Sequence, residues 1–246
     1  MVIDSGNTHV KWGLYDGSNW LEQGNLAQDQ NMLLQQRWQD LPKPQGIIIS
    51  NVSNTVSKKK LSELLSSWEV KPKWITAQSF QCGVRNYYAD PSLLGSDRWA
   101  ALIAAWKWKQ QGCLVVDAGT AMTVDALSDT GEFLGGIIVP GVELMKKALA
   151  TNITALQNQE GEFSGFPDNT ADAIHSGTVH ALAGAVKRMS ELLTVTLGHI
   201  PECIISGGAS QQLMYELNMD ASVVNNLVLE GLILIAEDIS ETIKSV

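Results

Sequence analysis

The chain has 246 residues, 45% apolar and 17% charged, with a formal net charge of -9 and three scattered cysteines, Cys82, Cys113 and Cys203. The acidic balance excludes a general nucleic-acid binder, which needs basic surface against phosphate, and no apolar run approaches the roughly 18 residues of a membrane-spanning helix. The opening lacks the basic start and apolar stretch of a signal peptide, and the cysteines form neither a disulfide framework nor a CxxC metal motif, so a reducing, cytoplasmic compartment is expected.

The first strand, Met1 to Asp4, is cut off by Ser5-Gly6-Asn7-Thr8 and resumes as Val10 to Tyr15 before a turn at Asp16-Gly17. Trp20 to Pro44 reads as an edge strand plus a helix. Gly46 to Ser50 is a buried-strand run, Ser57 to Trp68 an amphipathic helix with Leu61, Leu64 and Leu65 on one face, and Trp74 to Thr76 a further strand. Asp97 to Lys109 carries Trp99, Leu102, Ile103 and Trp106 at helical spacing, with Ser96 placed to cap its start. At Cys113 the opening pattern returns: strand Leu114-Val115-Val116, turn Asp117-Ala118-Gly119-Thr120, strand Met122 to Leu127, turn Ser128 to Gly131. Setting Asp4 over Asp117 places Gly6 over Gly119, Leu14 over Leu127 and Asp16 over Asp129, and both copies run into a third strand. Helices follow at Val142 to Ala150, Ala171 to Leu193 and Leu227 to Lys244, with a strand Glu202 to Ser206 closed by Gly207-Gly208 and a loop from Asn158 to Asp168. Strands alternating with helices in duplicated halves indicate an α/β protein of two domains with mixed sheets, 1-112 and 113-246. Charge divides the same way: residues 1 to 112 hold 12 Lys+Arg against 9 Asp+Glu, residues 113 to 246 hold 5 against 17, and all eight tryptophans lie in the first half.

The turn Asp4-Ser5-Gly6-Asn7-Thr8 can present backbone N-H groups to a phosphate chain, with Gly6 permitting close approach. Asp4 would hold a divalent cation, through water, and Lys11 would offer positive charge to the transferring group. An ordinary hairpin turn uses the same residue types. Recurrence of the turn as Asp117-Ala118-Gly119-Thr120 favours two phosphate-facing hairpins. No P-loop and no GxGxxG following a strand is present, which disfavours a Walker ATPase and a dinucleotide fold. Ser206-Gly207-Gly208-Ala209 suits either a platform for an adenosine face or a plain strand-to-helix turn. The four histidines lack companions at ligand spacing, and Lys58-Lys59-Lys60 reads as a solvated helix start.

Paired DxG hairpins resemble the acetate and sugar kinase, heat-shock-70 and actin superfamily, whose two ribonuclease-H-like halves clamp ATP in a cleft between them. Within it, DSGNTHVKWGLY, Gly95-Ser96-Asp97-Arg98, VVDAGTAMTVD, GGIIVPG from Gly135 to Gly141 and Asn169-Thr170 resemble type III pantothenate kinase over nearly the whole chain. The resemblance implies transfer of phosphate from ATP to the primary hydroxyl of pantothenate, with Asp97 as general base; the carboxylate's own position also suits helix capping. It implies that Gly95, Ser96 and Arg98 contact pantothenate, Arg98 through the carboxylate, although a helix arginine can also face solvent. Tyr88 matches a substrate-lining tyrosine, with Tyr87 one residue out of register. Thr170 matches a contact supplied by the partner subunit of a homodimer, or caps the helix beginning at Ala171. The dimer also fits a charged fraction below the ~25% usual for soluble domains. Asp117 matches the position of a monovalent cation, K+ or NH4+, and Thr120 an ATP contact, with Mg2+ accompanying the nucleotide. Two rivals are a non-catalytic nucleotide-binding regulatory factor of this fold and a kinase for another small alcohol.

Overall fold

In a computed structural model the described residues are 1–152, 160–217 and 219–244; the first two residues of the expected Asn158 to Asp168 loop therefore lie outside them. The chain forms two compact units. One comprises Met1–Trp108 with Leu227–Val246, the other Lys109–Asn226.

The first unit opens with β1 (Val2–Ser5), β2 (His9–Tyr15) and β3 (Trp20–Ala27), followed by α1 (Asn31–Gln39), β4 (Ile48–Asn51), α2 (Thr55–Leu65) and β5 (Lys73–Trp74). The sheet order is β3-β2-β1-β4-β5. β1 and β2, and β2 and β3, are antiparallel, while β4 runs parallel to both β1 and β5. β1 is buried along its whole length, as a central strand covered on both faces must be. Ile3 joins Val10, Trp12, Leu14, Leu34, Trp38, Ile49, Leu61 and Leu65 in the core, so the strand's apolar residues and the leucines of α2 are explained by one buried layer. Asn54 caps α2 by accepting the Ser57 N-H, and Lys58 lies over the Trp74 ring at 4.8 Å rather than standing wholly in solvent. A short hairpin follows, β6 (Phe80–Gln81) and β7 (Val84–Asn86), turning through Cys82 and Gly83, both at positive φ. α3 (Ser96–Lys109) is buried nearly all round.

In the second unit, β8 (Cys113–Ala118), β9 (Ala121–Leu127) and β10 (Glu132–Pro140) precede α4 (Val142–Asn152), α5 (Thr170–Leu197), β11 (Glu202–Ser206), α6 (Ser210–Leu217) and β12 (Ala221–Val223). The order β10-β9-β8-β11-β12 repeats that of the first unit strand for strand, with the same antiparallel and parallel senses. Leu114, Val116, Met122 and Val124 pack with Leu182, Val186, Leu193, Cys203, Ile205 and Leu213 in its core.

The final helix, α7 (Leu227–Lys244), packs on β1, β2 and β4 of the first unit. Gly231 makes the approach possible: a Cβ there would lie 1.9 Å from the Ala100 carbonyl oxygen of α3. The compact units are thus drawn differently from the halves 1-112 and 113-246, because the last helix of the second half covers the first sheet. Among the described residues no helix is long and apolar enough to cross a membrane.

Candidate active site

β1 delivers Asp4, buried, to the end of the sheet between Lys11 of β2 and Ser50 of β4. The chain then reverses with the Gly6 N-H donating to the His9 carbonyl at 3.0 Å, which leaves Asn7, Thr8 and His9 exposed. Lys11 is half-buried. Ser5 is fully buried and its hydroxyl faces inward, 3.2 Å from Ser53 Oγ and accepting from Gln28 Nε2 at 3.1 Å. Gln28 also donates to the Gly6 carbonyl at 2.6 Å, and its backbone N-H to the Thr8 carbonyl at 2.8 Å. The turn is therefore held from behind while its tip stays open.

The second turn is tighter. Gly119 N-H donates to the Ala121 carbonyl at 3.2 Å, one residue fewer than in the first turn. Asp4 stands opposite Lys11, and Asp117 opposite Thr123. Asp4 over Asp117 and Gly6 over Gly119 therefore hold, but beyond the tip the repeat slips by one, so Asn7 is the extra residue and Thr8 corresponds to Thr120. The pairings Leu14 with Leu127 and Asp16 with Asp129 are corrected accordingly. Ser128 occupies the place of Asp16: Asp16 Oδ1 accepts the Ser18 N-H at 2.8 Å, and Ser128 Oγ the Thr130 N-H at 3.2 Å. The second turn is supported by backbone. Gly141 donates its N-H to the Thr120 carbonyl at 2.9 Å, and a Cβ on it would lie 2.1 Å from the Gly119 carbonyl oxygen. Gly207, at φ +95, lies so near that a Cβ would meet Asp117 Oδ1 and Ala118 at 2.6 Å. Thus Ser206-Gly207-Gly208-Ala209 is a close-packed strand-to-helix turn against β8, with the Ala209 N-H on the Ala118 carbonyl at 3.1 Å.

The third element is the start of α3. Asp97 lies in its first turn, half-buried, with Oδ1 accepting the Arg98 N-H at 2.7 Å. Burial pushes the Asp97 carboxyl above its ordinary value, opposed by that hydrogen bond and by the Arg98 charge. A Cβ at Gly95 would lie 2.6 Å from Asp97 Oδ1, so glycine leaves the carboxylate its room. Arg98 is buried rather than solvent-facing, and Nη1 donates to the Tyr88 hydroxyl at 3.3 Å. Tyr88 is half-buried, whereas Tyr87 is 61% exposed.

Ser96 does not cap the helix. It is the first residue of α3, and its hydroxyl is buried 3.0 Å from Ser50 Oγ while accepting the Asn51 N-H at 3.1 Å. The physical reason is a stronger claim on that hydroxyl, since the end of β4 leaves a backbone donor that needs an acceptor. Thr170 is likewise not a cap: Asn169 caps α5, accepting the Asp172 N-H at 3.0 Å, and Thr170 is exposed as the first helical residue.

The first unit thus brings Asp4 to Thr8, Lys11, Tyr88 and Gly95 to Arg98 into one fold. Asp117, Gly119, Thr120 and Thr170 belong to the second unit. Sequence reasoning missed Gln28, Asn51 and Ser53. The available signal was the duplication, since Gln28 directly follows β3 as Gly141 directly follows β10.

The family model for type III pantothenate kinase matches residues 1–192. A type III pantothenate kinase of Nitrosospira multiformis is 60% identical over 242 residues, spanning 98% of this chain and 92% of that one. Among solved structures, a Campylobacter jejuni protein assigned to the Baf family of transcriptional activators matches with a TM-score of 0.64 at 24% identity, over 97% of this chain and 98% of that one. An activator of 2-hydroxyisocaproyl-CoA dehydratase from Clostridium difficile, with bound ADPNP, matches with a TM-score of 0.54 at 13% identity, over 99% and 96%. At these identities the two solved structures speak for the fold alone.

Proposed function

The chain belongs to the type III pantothenate kinase family, and from that premise we propose a division of labour among its residues in the ATP-dependent phosphorylation of pantothenate to 4'-phosphopantothenate, the first step of coenzyme A biosynthesis. The enzyme is a kinase using ATP with a divalent metal. The observation that carries the residue assignment is Asp97, a carboxylate at the start of α3 whose proton affinity is raised by burial.

Asp97 accepts the proton of the pantothenate primary hydroxyl as it attacks the γ-phosphorus, and a base whose pKa is moved toward the working pH is the more effective one. Arg98 pairs with the substrate carboxylate, for which a planar guanidinium is the right shape, and Tyr88 lines the same site through their hydrogen bond. Gly95 keeps the backbone and the Asp97 oxygen clear for the substrate. Ser96 acts by anchoring the helix start to β4. Phosphoryl transfer depends mainly on positioning and charge, and these fall to the two turns. The N-H groups of Asn7 and Thr8, and that of Thr120, contact the phosphates, while Gly6 and Gly119, whose own N-H groups close the turns on the His9 and Ala121 carbonyls, let the phosphates come close to the backbone, with Ser5 supporting from beneath. Lys11 offers positive charge to the transferring group.

Hard oxygen donors suit the cations. Among the described residues no three His, Cys, Asp or Glu gather into a metal cage, so Mg2+ would share Asp4, through water, with phosphate oxygens. K+ or NH4+ would lie at Asp117. When bound, the ions neutralise phosphate charge. We propose further that residues 1-112 and 113-246 are the duplicated halves, on the support of the repeated strand order; that the enzyme is a homodimer, on that of exposed Thr170 and a Phe166 that is 97% exposed on the same segment; and that it is cytoplasmic, on that of three cysteines that are all free.

ADP release from ATP and magnesium, with pantothenate and a panel of other small alcohols, in potassium and in sodium buffer, tests the reading. The expected result is turnover that needs pantothenate and potassium. Turnover on a different alcohol, or nucleotide binding without turnover, would overturn it in favour of another kinase or a regulatory factor.

A further inference from the structure

The first nucleotide turn and the segment bearing Asp97 are joined by a set of polar side chains, three of which, Gln28, Ser53 and Asn51, have no part in the roles above. Gln28 Nε2 meets the Gly6 carbonyl at 2.6 Å and Ser5 Oγ at 3.1 Å. Because a carbonyl can only accept, the amide nitrogen must be the atom facing the turn, which makes Ser5 Oγ an acceptor from Gln28. Ser53 Oγ donates to Asn51 Oδ1 at 2.7 Å, so the 3.2 Å contact between the two hydroxyls has Ser5 as donor. Each donated hydrogen then has one acceptor, the two of the Gln28 amide going to the Gly6 carbonyl and to Ser5, and the side-chain bonds run in a single direction from Gln28 through Ser5 and Ser53 to Asn51. The Asn51 backbone N-H continues to Ser96 Oγ at 3.1 Å, one residue from Asp97.

We propose that Gln28 is a positioning residue for the nucleotide turn, and that the chain Gln28, Ser5, Ser53, Asn51, Ser96 fixes that turn against the helix start that carries Asp97. This rests on the function proposed above. The duplication argues for it independently. The N-H of Gln28 bonds to the Thr8 carbonyl as that of Gly141 bonds to the Thr120 carbonyl, 2.8 and 2.9 Å, so the two residues hold one structural position in the two units. In the second unit a side chain is excluded there, since a Cβ would lie 2.1 Å from the Gly119 carbonyl oxygen. The first turn is one residue longer and leaves the space that the Gln28 side chain fills, with an amide that has donors for the Gly6 carbonyl and for Ser5. Backbone packing holds one turn and a side-chain network the other.

Gln28→Glu keeps the shape and removes the donor, turning an acceptor toward the Gly6 carbonyl. Binding of a fluorescent ATP analogue with magnesium, without pantothenate, reads the turn directly, and steady-state kinetics separate the two substrates. Gln28→Glu is expected to weaken nucleotide binding and raise the ATP KM by about ten-fold, with the pantothenate KM within about two-fold of the wild type. Ser53→Ala is expected to weaken nucleotide binding about five-fold, and the double variant to lose less than the product of the two, since both act through Ser5. Nucleotide affinity within about two-fold of the wild type in folded Gln28→Glu, or an equal rise in both KM values, overturns the proposal. Should Gln28→Glu not fold, Ser53→Ala decides by the same criteria. A wild type that binds nucleotide yet does not phosphorylate pantothenate refutes the function and leaves the binding comparison valid.

Discussion

Replacing Gly141 by Ala adds one carbon atom and tests whether the second turn is a nucleotide site. The backbone at Gly141 is not in the left-handed region, so alanine adopts it without conformational strain. The penalty is contact. The new Cβ would lie 2.1 Å from the Gly119 carbonyl oxygen and 2.7 Å from that of Thr120. Neither obstacle is a flexible side chain, so reaching even the 3.0 Å limit of real contacts requires the turn to move by about 0.9 Å. A displacement of that size in a group that positions substrate costs on the order of 100-fold in rate, or about 2.7 kcal/mol of transition-state binding. Overpacking should also lower stability by about 1–3 kcal/mol. The assay is pantothenate-dependent ADP release with ATP varied, alongside thermal unfolding. Gly184→Ala is the control, for the same change in α5 meets nothing within 4 Å and should stabilise by about 0.5–1 kcal/mol. The reasoning is refuted if Gly141→Ala, folded, keeps kcat/KM for ATP within about three-fold of the wild type.

Ser96→Ala removes the acceptor of the Asn51 N-H and the partner of Ser50, and should destabilise by about 1–3 kcal/mol in chemical denaturation; a value near zero would mean that water replaces the hydroxyl. The acid limb of kcat should reflect Asp97, which must lose its proton to serve as base. Because burial raises its pKa, that limb should lie above the ordinary carboxylate value of about 4, and a pH profile flat through that region contradicts the assignment. Asn169→Ala deletes the α5 cap and should cost about 1 kcal/mol in thermal unfolding; an unchanged midpoint would show that the cap is dispensable.

Much of this architecture could be read from residues. The strand, turn and strand at Met1 to Tyr15 return at Cys113 because both units need a buried central strand beside a hairpin, and apolar runs broken by Asp-x-Gly record that need locally. The edge strand and helix expected between Trp20 and Pro44 are realised as β3 and α1, although that segment carries no clear apolar pattern of its own. What escaped detection depends on distant partners. The hairpin β6 and β7 is built of strands of two and three residues, too short for any periodicity, and its turn places a cysteine at φ 49 where Asn or Asp is the usual signal. α7 is plainly helical in sequence, but an amphipathic stripe does not name the sheet it covers; only Gly231, fitted against Ala100, hints at the choice. Ser96 carries the composition of a cap and serves instead a donor 45 residues earlier in the chain. The one-residue slip after the turn escapes an ungapped comparison because the Asp-x-Gly match before the turn fixes the offset; carried on unchanged, that offset sets Val10 over Thr123 and Trp12 over Asp125, whereas one residue less restores apolar on apolar, Val10 over Met122 and Trp12 over Val124.

Asp97 is the group on which the account turns, and the most direct measurement is pantothenate-dependent ADP release by the wild type and by Asp97→Asn, with ATP binding measured in both. The account predicts that the variant binds ATP like the wild type while kcat falls by about 10²–10⁴-fold. A variant that folds, binds ATP and turns over within ten-fold of the wild type would contradict it.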